Sequence, residues 1–111
     1  HALKDPQNWK TTFTPKPTIA NGLAVPYPFG LDMMLHVIRE SQGTAVTVSD
    51  EEIVSGIKEF ARTEGILLCP EGAATWKALI QLVSEGKVNA EEKILLLNTG
   101  SGYKYLENYD V

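Results

Sequence analysis

"TAVTVSDEEIVSGIKEFARTEGILLCPEGAAT", residues 44–75, changes period three times. Thr44 to Val48 is rich in β-branched residues and predicts a strand. Ser49 follows, with Glu52 three residues on, the spacing of a capping box at a helix start. Ile53, Val54, Ile57, Phe60 and Ala61 then recur at helical spacing, and Gly65 ends that helix. Ile66 to Cys69 reads as a short buried strand or extended stretch. Pro70 suits the first position of a second helix, whose stripe of Ala73, Trp76, Ile80 and Val83 runs to Gly86.

The same alternation continues on both sides. Lys93 to Leu97, "KILLL", predicts a further strand, apolar enough to be covered on both faces. Toward the amino end, Leu31, Met34, Leu35 and Ile38 share one helical face, and Gly43 stops that helix. Before it, Pro6, Pro15, Pro17, Pro26 and Pro28 make residues 1–30 an extended, proline-rich lead-in. So long a lead-in is uncommon in a compact domain and suggests a piece of something larger. Helix alternating with apolar strand predicts an α/β fold over residues 31–111.

The bulk numbers exclude several classes. With 111 residues, the chain is one domain or part of one, and 43% hydrophobic with 22% charged residues predicts a folded soluble core. Net charge is −4 and no basic cluster exists, which argues against nucleic acid and anionic membranes as partners. The apolar runs are too short to span a bilayer. "HALKDPQNWK" has no signal-peptide core, and His1 without a methionine suggests a tag remnant or an internal start. The single cysteine, Cys69, permits no internal disulfide and fits a reducing cytoplasm.

Ligands of open α/β sheets bind beyond the carboxyl ends of strands, and three loops occupy such positions. Ser49-Asp50 reads as a helix cap. In "CPEGAAT" (69–75), Glu71 is either a first-turn acid favoured by the helix dipole or a functional carboxylate, and the pattern does not choose. Gly72, Ala73 and Ala74 would let another chain segment or a flat ligand approach closely. "NTGSG" (98–102) lacks the lysine-hydroxyl pair of a phosphate loop and is not followed by an amphipathic helix. A plain turn is its ordinary reading. Thr99, however, is the first residue in the loop whose hydroxyl would point past the apolar run. His36 is a lone helical histidine, Cys69 a buried inert thiol, and no metal-ligand or nucleophile-base set is present. Trp9, Phe13, Tyr27 and Phe29 form a partner surface or pack on a further domain.

"PTIANGLAVPYPFG" (17–30), "TAVTVSDEEI" (44–53), "ARTEGILLCPEGAAT" (61–75) and "LLLNTGSGYKY" (95–105) together resemble the carboxyl-terminal part of the threonine synthase family, fold-type II enzymes dependent on pyridoxal phosphate. The resemblance implies a fragment of the large domain, part of an open, mostly parallel twisted sheet with flanking helices. It implies cofactor contacts at Thr99, which would meet the pyridine nitrogen, at Gly100, which would let the ring approach, and at Glu71, with Ser101 as a neighbour. A neutral hydroxyl does not force the ring nitrogen to stay protonated, unlike an aspartate partner. The implied parent reaction takes O-phospho-L-homoserine and water to L-threonine and phosphate, with a small amino-acid substrate. The family's cofactor-bearing lysine and phosphate cradle lie in an amino-terminal part that this chain lacks; Lys77, Lys87, Lys93 and Lys104 match no such motif. The chain alone is therefore expected to be inactive, with no catalytic residue of its own, and to pair with that missing part or with a second copy. A serine/threonine dehydratase, a cysteate synthase and a non-catalytic α/β binding module remain the competing readings.

Overall fold

The structure is a computed structural model and describes residues 1–109. It contains four α-helices among the described residues: α1 (Trp9–Thr12), α2 (Leu31–Glu40), α3 (Asp50–Glu64) and α4 (Pro70–Ser84). Two 3-10 segments, Asn21–Leu23 and Gly102–Asn108, complete the regular structure. The chain divides into two compact units, His1–Pro17 with Ala24–Val46, and Thr18–Leu23 with Thr47–Val111. Among the described residues no helix is long and apolar enough to cross a membrane.

The larger unit is organised by α3 and α4. The predicted capping box forms: the Ser49 hydroxyl accepts from the Glu52 N–H at 3.2 Å, and the Glu52 carboxylate accepts from the Ser49 N–H at 2.8 Å. The backbone hydrogen bond from Ser49 holds the Glu52 carboxyl below its ordinary range. Gly65 ends α3 in the left-handed region, φ 68°, which only glycine enters without cost. Ile53 and Ile57 of α3 bury against Ala73 and Ala74 of α4, with Ala20, Leu68 and Tyr109 completing the core. Phe60 and Trp76 meet edge to face, centroids 5.2 Å apart at 75°, the arrangement ring quadrupoles favour. The helices approach closely at Gly56, where an added Cβ would lie 2.8 Å from the Lys77 stem and 3.5 Å from the Ala73 carbonyl oxygen. Ile80 and Val83, the rest of the expected α4 stripe, are exposed.

The expected sheet does not form. Residues 44–48, 66–69 and 93–97 form no strand, and the α/β reading with an open, mostly parallel twisted sheet is overturned. The one ladder-type contact among the described residues is an antiparallel bridge between Leu68 and Ser101, where the Gly102 N–H donates to the Leu67 carbonyl at 3.0 Å. Strand propensity measures fit to paired neighbours, not an intrinsic backbone preference. Residues 44–48 and 93–97 have no such neighbours here, and Leu95 and Leu97 are 84% and 66% exposed rather than covered on both faces. The described chain is a helical structure with extended connections.

In the smaller unit, Trp9 is buried against Phe13 and Tyr27, with centroids 6.3 and 5.8 Å apart. Phe29 is fully exposed. Only Leu35 of the expected α2 face is buried. α2 closes one residue earlier than expected: Gln42, not Gly43, takes the left-handed conformation (φ 54°), while the Gly43 N–H donates to the Ile38 carbonyl at 2.8 Å. A side chain costs energy in that region that glycine does not. Gln42→Gly is expected to stabilise this unit by about 0.5–1 kcal/mol, read as a higher urea midpoint with an unchanged slope.

Candidate functional site

The amino end of α4 is where the expected site residues are organised. Its cap is Cys69, 1% exposed, whose Sγ accepts from the Gly72 N–H at 3.4 Å. A thiol is a weak acceptor, so such a cap leaves the helix start under-satisfied. Asn98 supplies what is missing. Its side-chain oxygen accepts from the Cys69 N–H at 3.4 Å and from the Cys69 thiol at 3.2 Å. That oxygen also lies where a Cβ on Gly72 would stand. The close approach expected at Gly72 is thus made by another segment of this chain. A Cβ on Gly100 would rest 3.4 Å from the Cys69 Cβ, and one on Gly102 would strike the Leu68 carbonyl at 2.5 Å. Loop 98–102 therefore lies flat along residues 67–72.

Two carboxylates at helix starts grip the segment before Ala24. Asp50, the first residue of α3, accepts from the Thr18 hydroxyl at 2.5 Å and from the Ile19 N–H at 3.1 Å. Glu71, in the first turn of α4, accepts from the Gly22 N–H at 2.8 Å. A Cβ on Gly22 would come within 2.9 Å of the same Glu71 oxygen, so a larger residue there would make the Glu71 carboxylate shift. Both carboxylates also complement the positive ends of their helices.

Each expected site residue now has a place. The Thr99 side chain is exposed, and its hydroxyl has no hydrogen-bond partner among the described residues. Gly100 backs onto Cys69. Ser101 pairs with Leu68, and its hydroxyl accepts from the Tyr103 N–H at 3.4 Å, capping the turn that follows. Glu71 holds Gly22. Thr99, Gly100 and Ser101 are consecutive, and Glu71 joins them through the shared α4 start; no bond links Glu71 to Thr99. Asn98, which the sequence reading left without a role, is the side chain that ties the loop to the helix. Its signal was the pairing of a cap-poor cysteine with a following glycine, a helix start with room for an outside acceptor. Elsewhere, His36 pairs with Glu40 at 3.4 Å on the surface, and Lys77 and Lys87 are engaged with Glu59 and Glu85. Among the described residues no three His, Cys, Asp or Glu side chains gather as metal ligands.

Two phenols close the far side of this cluster. Tyr109 is 8% exposed, and its hydroxyl donates to the Leu68 carbonyl at 3.5 Å. Burial pushes its ionisation up to about 12. The negative charge of Glu71 raises that of Tyr105. A phenol that ionises later in the fold binds its proton more tightly there. Its stabilisation is whole below the unfolded value of 10.0 and is lost as pH rises toward 12. Tyr109→Phe should therefore remove one late step from the alkaline titration followed at 295 nm. It should also make the fall in stability above pH 10 shallower.

The family described as pyridoxal-phosphate dependent enzyme matches residues 2–100. A threonine synthase of Methanosarcina acetivorans is 39% identical over 83 residues, 75% of this chain and 20% of that protein. A threonine synthase of Methanocaldococcus jannaschii is 38% identical over 87 residues, 78% of this chain and 22% of that protein. A tryptophan synthase beta chain 2 of Aquifex aeolicus is 35% identical over 99 residues, 88% of this chain and 22% of that protein. The chain thus spans about a fifth of the length of these relatives. It belongs to the family of pyridoxal-phosphate-dependent enzymes.

Proposed function

We propose that this chain is part of a threonine synthase-like enzyme that converts O-phospho-L-homoserine and water to L-threonine and phosphate in the cytoplasm. Within it, the chain would supply the ring-nitrogen end of the cofactor site. The observation that carries the site reading is the exposed Thr99 hydroxyl, without a hydrogen-bond partner among the described residues, on a loop whose preceding residue bonds Cys69 and whose following residue faces it. The likeness to two threonine synthases supports the choice of reaction.

The residues present fit one end of pyridoxal phosphate. Bound, the cofactor supplies an electron sink for bonds broken at the α-carbon of an amino acid. Thr99 would meet the pyridine nitrogen with a neutral hydroxyl, leaving that nitrogen free to be unprotonated. Gly100 adds no side chain on the approach, and Ser101 keeps the loop end in place. Glu71, already bound to the Gly22 N–H, would act by holding the 21–23 turn beside the site. Covalent attachment of the cofactor requires a lysine. Lys77, Lys87, Lys93 and Lys104 match no motif for such a lysine, and the chain spans about a fifth of the length of its relatives, so that lysine and the phosphate cradle would come from an amino-terminal part of the enzyme, with homodimerisation as a further partner contact.

The likeness to a tryptophan synthase beta chain sustains a second reading, in which the same ring contact serves a relative acting on a different amino acid. The enzyme containing this chain should release phosphate from O-phospho-L-homoserine and leave serine and threonine unchanged; the reverse pattern sinks the threonine synthase reading. The 111-residue chain alone, mixed with pyridoxal phosphate, should show no new visible band and no lysine labelled after borohydride. In the whole enzyme, Thr99→Val should weaken cofactor binding up to about tenfold, the size of one lost hydrogen bond.

A further inference from the structure

We propose that Asn98 is a positioning residue for the cofactor contact: by clasping Cys69 at the start of α4, it sets where the Thr99 hydroxyl stands. The inference rests on the reading of Thr99 as the ring-nitrogen partner and names the group that makes that contact possible.

Three observations carry it. Asn98 makes the side-chain bonds that tie its loop to the helix, and both end on one residue, Cys69, through its N–H and its thiol. The polarity is consistent along the chain of bonds: the Gly72 N–H donates to Sγ, and the thiol donates on to the Asn98 oxygen. The loop residue thus completes, from outside the helix, a cap that cysteine makes poorly. The packing is close there, because the Asn98 oxygen fills the space a Cβ on Gly72 would need. Finally, Gly100, on the other side of Thr99, faces the same cysteine, whose Cβ lies 3.4 Å from where a Cβ on Gly100 would stand. Thr99 is therefore held between two residues that face one anchor, and its exposed hydroxyl has no hydrogen-bond partner of its own among the described residues.

Chemistry separates this role from general stabilisation. An oxygen acceptor is needed at residue 98, so aspartate should serve and leucine, of similar size, should not. Positioning also predicts that the effects of Asn98 and Thr99 are not independent, because removing the hydroxyl leaves nothing to position.

The test uses the whole enzyme: its cofactor-free form titrated with pyridoxal phosphate by fluorescence, and the labelling rate of Cys69 by a thiol reagent followed by peptide mapping. Asn98→Leu is expected to weaken the cofactor about as much as Thr99→Val, up to about tenfold, and to speed Cys69 labelling. The double variant should be no weaker than either single one. Asn98→Asp should keep affinity within about threefold of the parent, and Thr99→Val should leave Cys69 labelling unchanged. If Asn98→Leu does not fold, Asn98→Ala removes the same oxygen with less bulk and takes its place. Additive losses in the double variant, or an Asn98→Asp as weak as Asn98→Leu, overturn the positioning role while leaving the Thr99 reading intact. A Thr99→Val enzyme that binds the cofactor as the parent does overturns both.

Discussion

The approach of α3 to α4 at Gly56 is the constraint on which the larger unit depends. Glycine there lets the Lys77 stem cross α3 and brings Ile53 and Ile57 onto Ala73 and Ala74. The small alanines matter as much as the large isoleucines, since a bulkier α4 face would hold the helices apart and leave a gap that close-packed interiors do not tolerate. Because the helices meet near the amino half of α4, that end is seated in the core, while its far end carries exposed Ile80 and Val83. A rigid helix start is the consequence.

The residues proposed to meet the cofactor adjoin that start. Backbone donors at the first turn of a helix need acceptors, and at the start of α4 these are the Cys69 thiol and an amide oxygen from loop 98–102; reaching outward from the same turn, the Glu71 carboxylate takes the Gly22 N–H. Asp50 does the same for Thr18 and Ile19 at the start of α3. The two helix starts thus collect segments far apart in sequence around one edge of the core. Polar bonds, not apolar burial, fix the loop that carries Thr99.

The helices were legible in the sequence because their signals are local. Ser49 and Glu52 cap one helix, Pro70 opens another, and Gly65 closes α3, each acting on neighbours three or four residues away. The sheet was misread for the opposite reason. "TAVTV" and "KILLL" have strand composition, but a strand exists only where a second segment offers its hydrogen bonds, and no composition shows whether that segment is present. The end of α2 was misplaced by one residue, since glycine draws attention to itself while Gln42 can be driven into the left-handed region by the turn.

The site divides along the same line. By itself, the sequence determined the capped helices and the apolar faces that join them, and its family resemblance pointed to Thr99, Gly100, Ser101 and Glu71 as the proposed cofactor contacts. Tertiary structure alone decided what holds them: Asn98 and Cys69 are 29 positions apart in the chain, and Gly22 and Glu71 are 49 apart. A hydrogen bond across such a distance leaves no periodic mark on either segment. It exists because the packed helices bring a donor and an acceptor within reach, which is a property of the fold and not of any stretch within it.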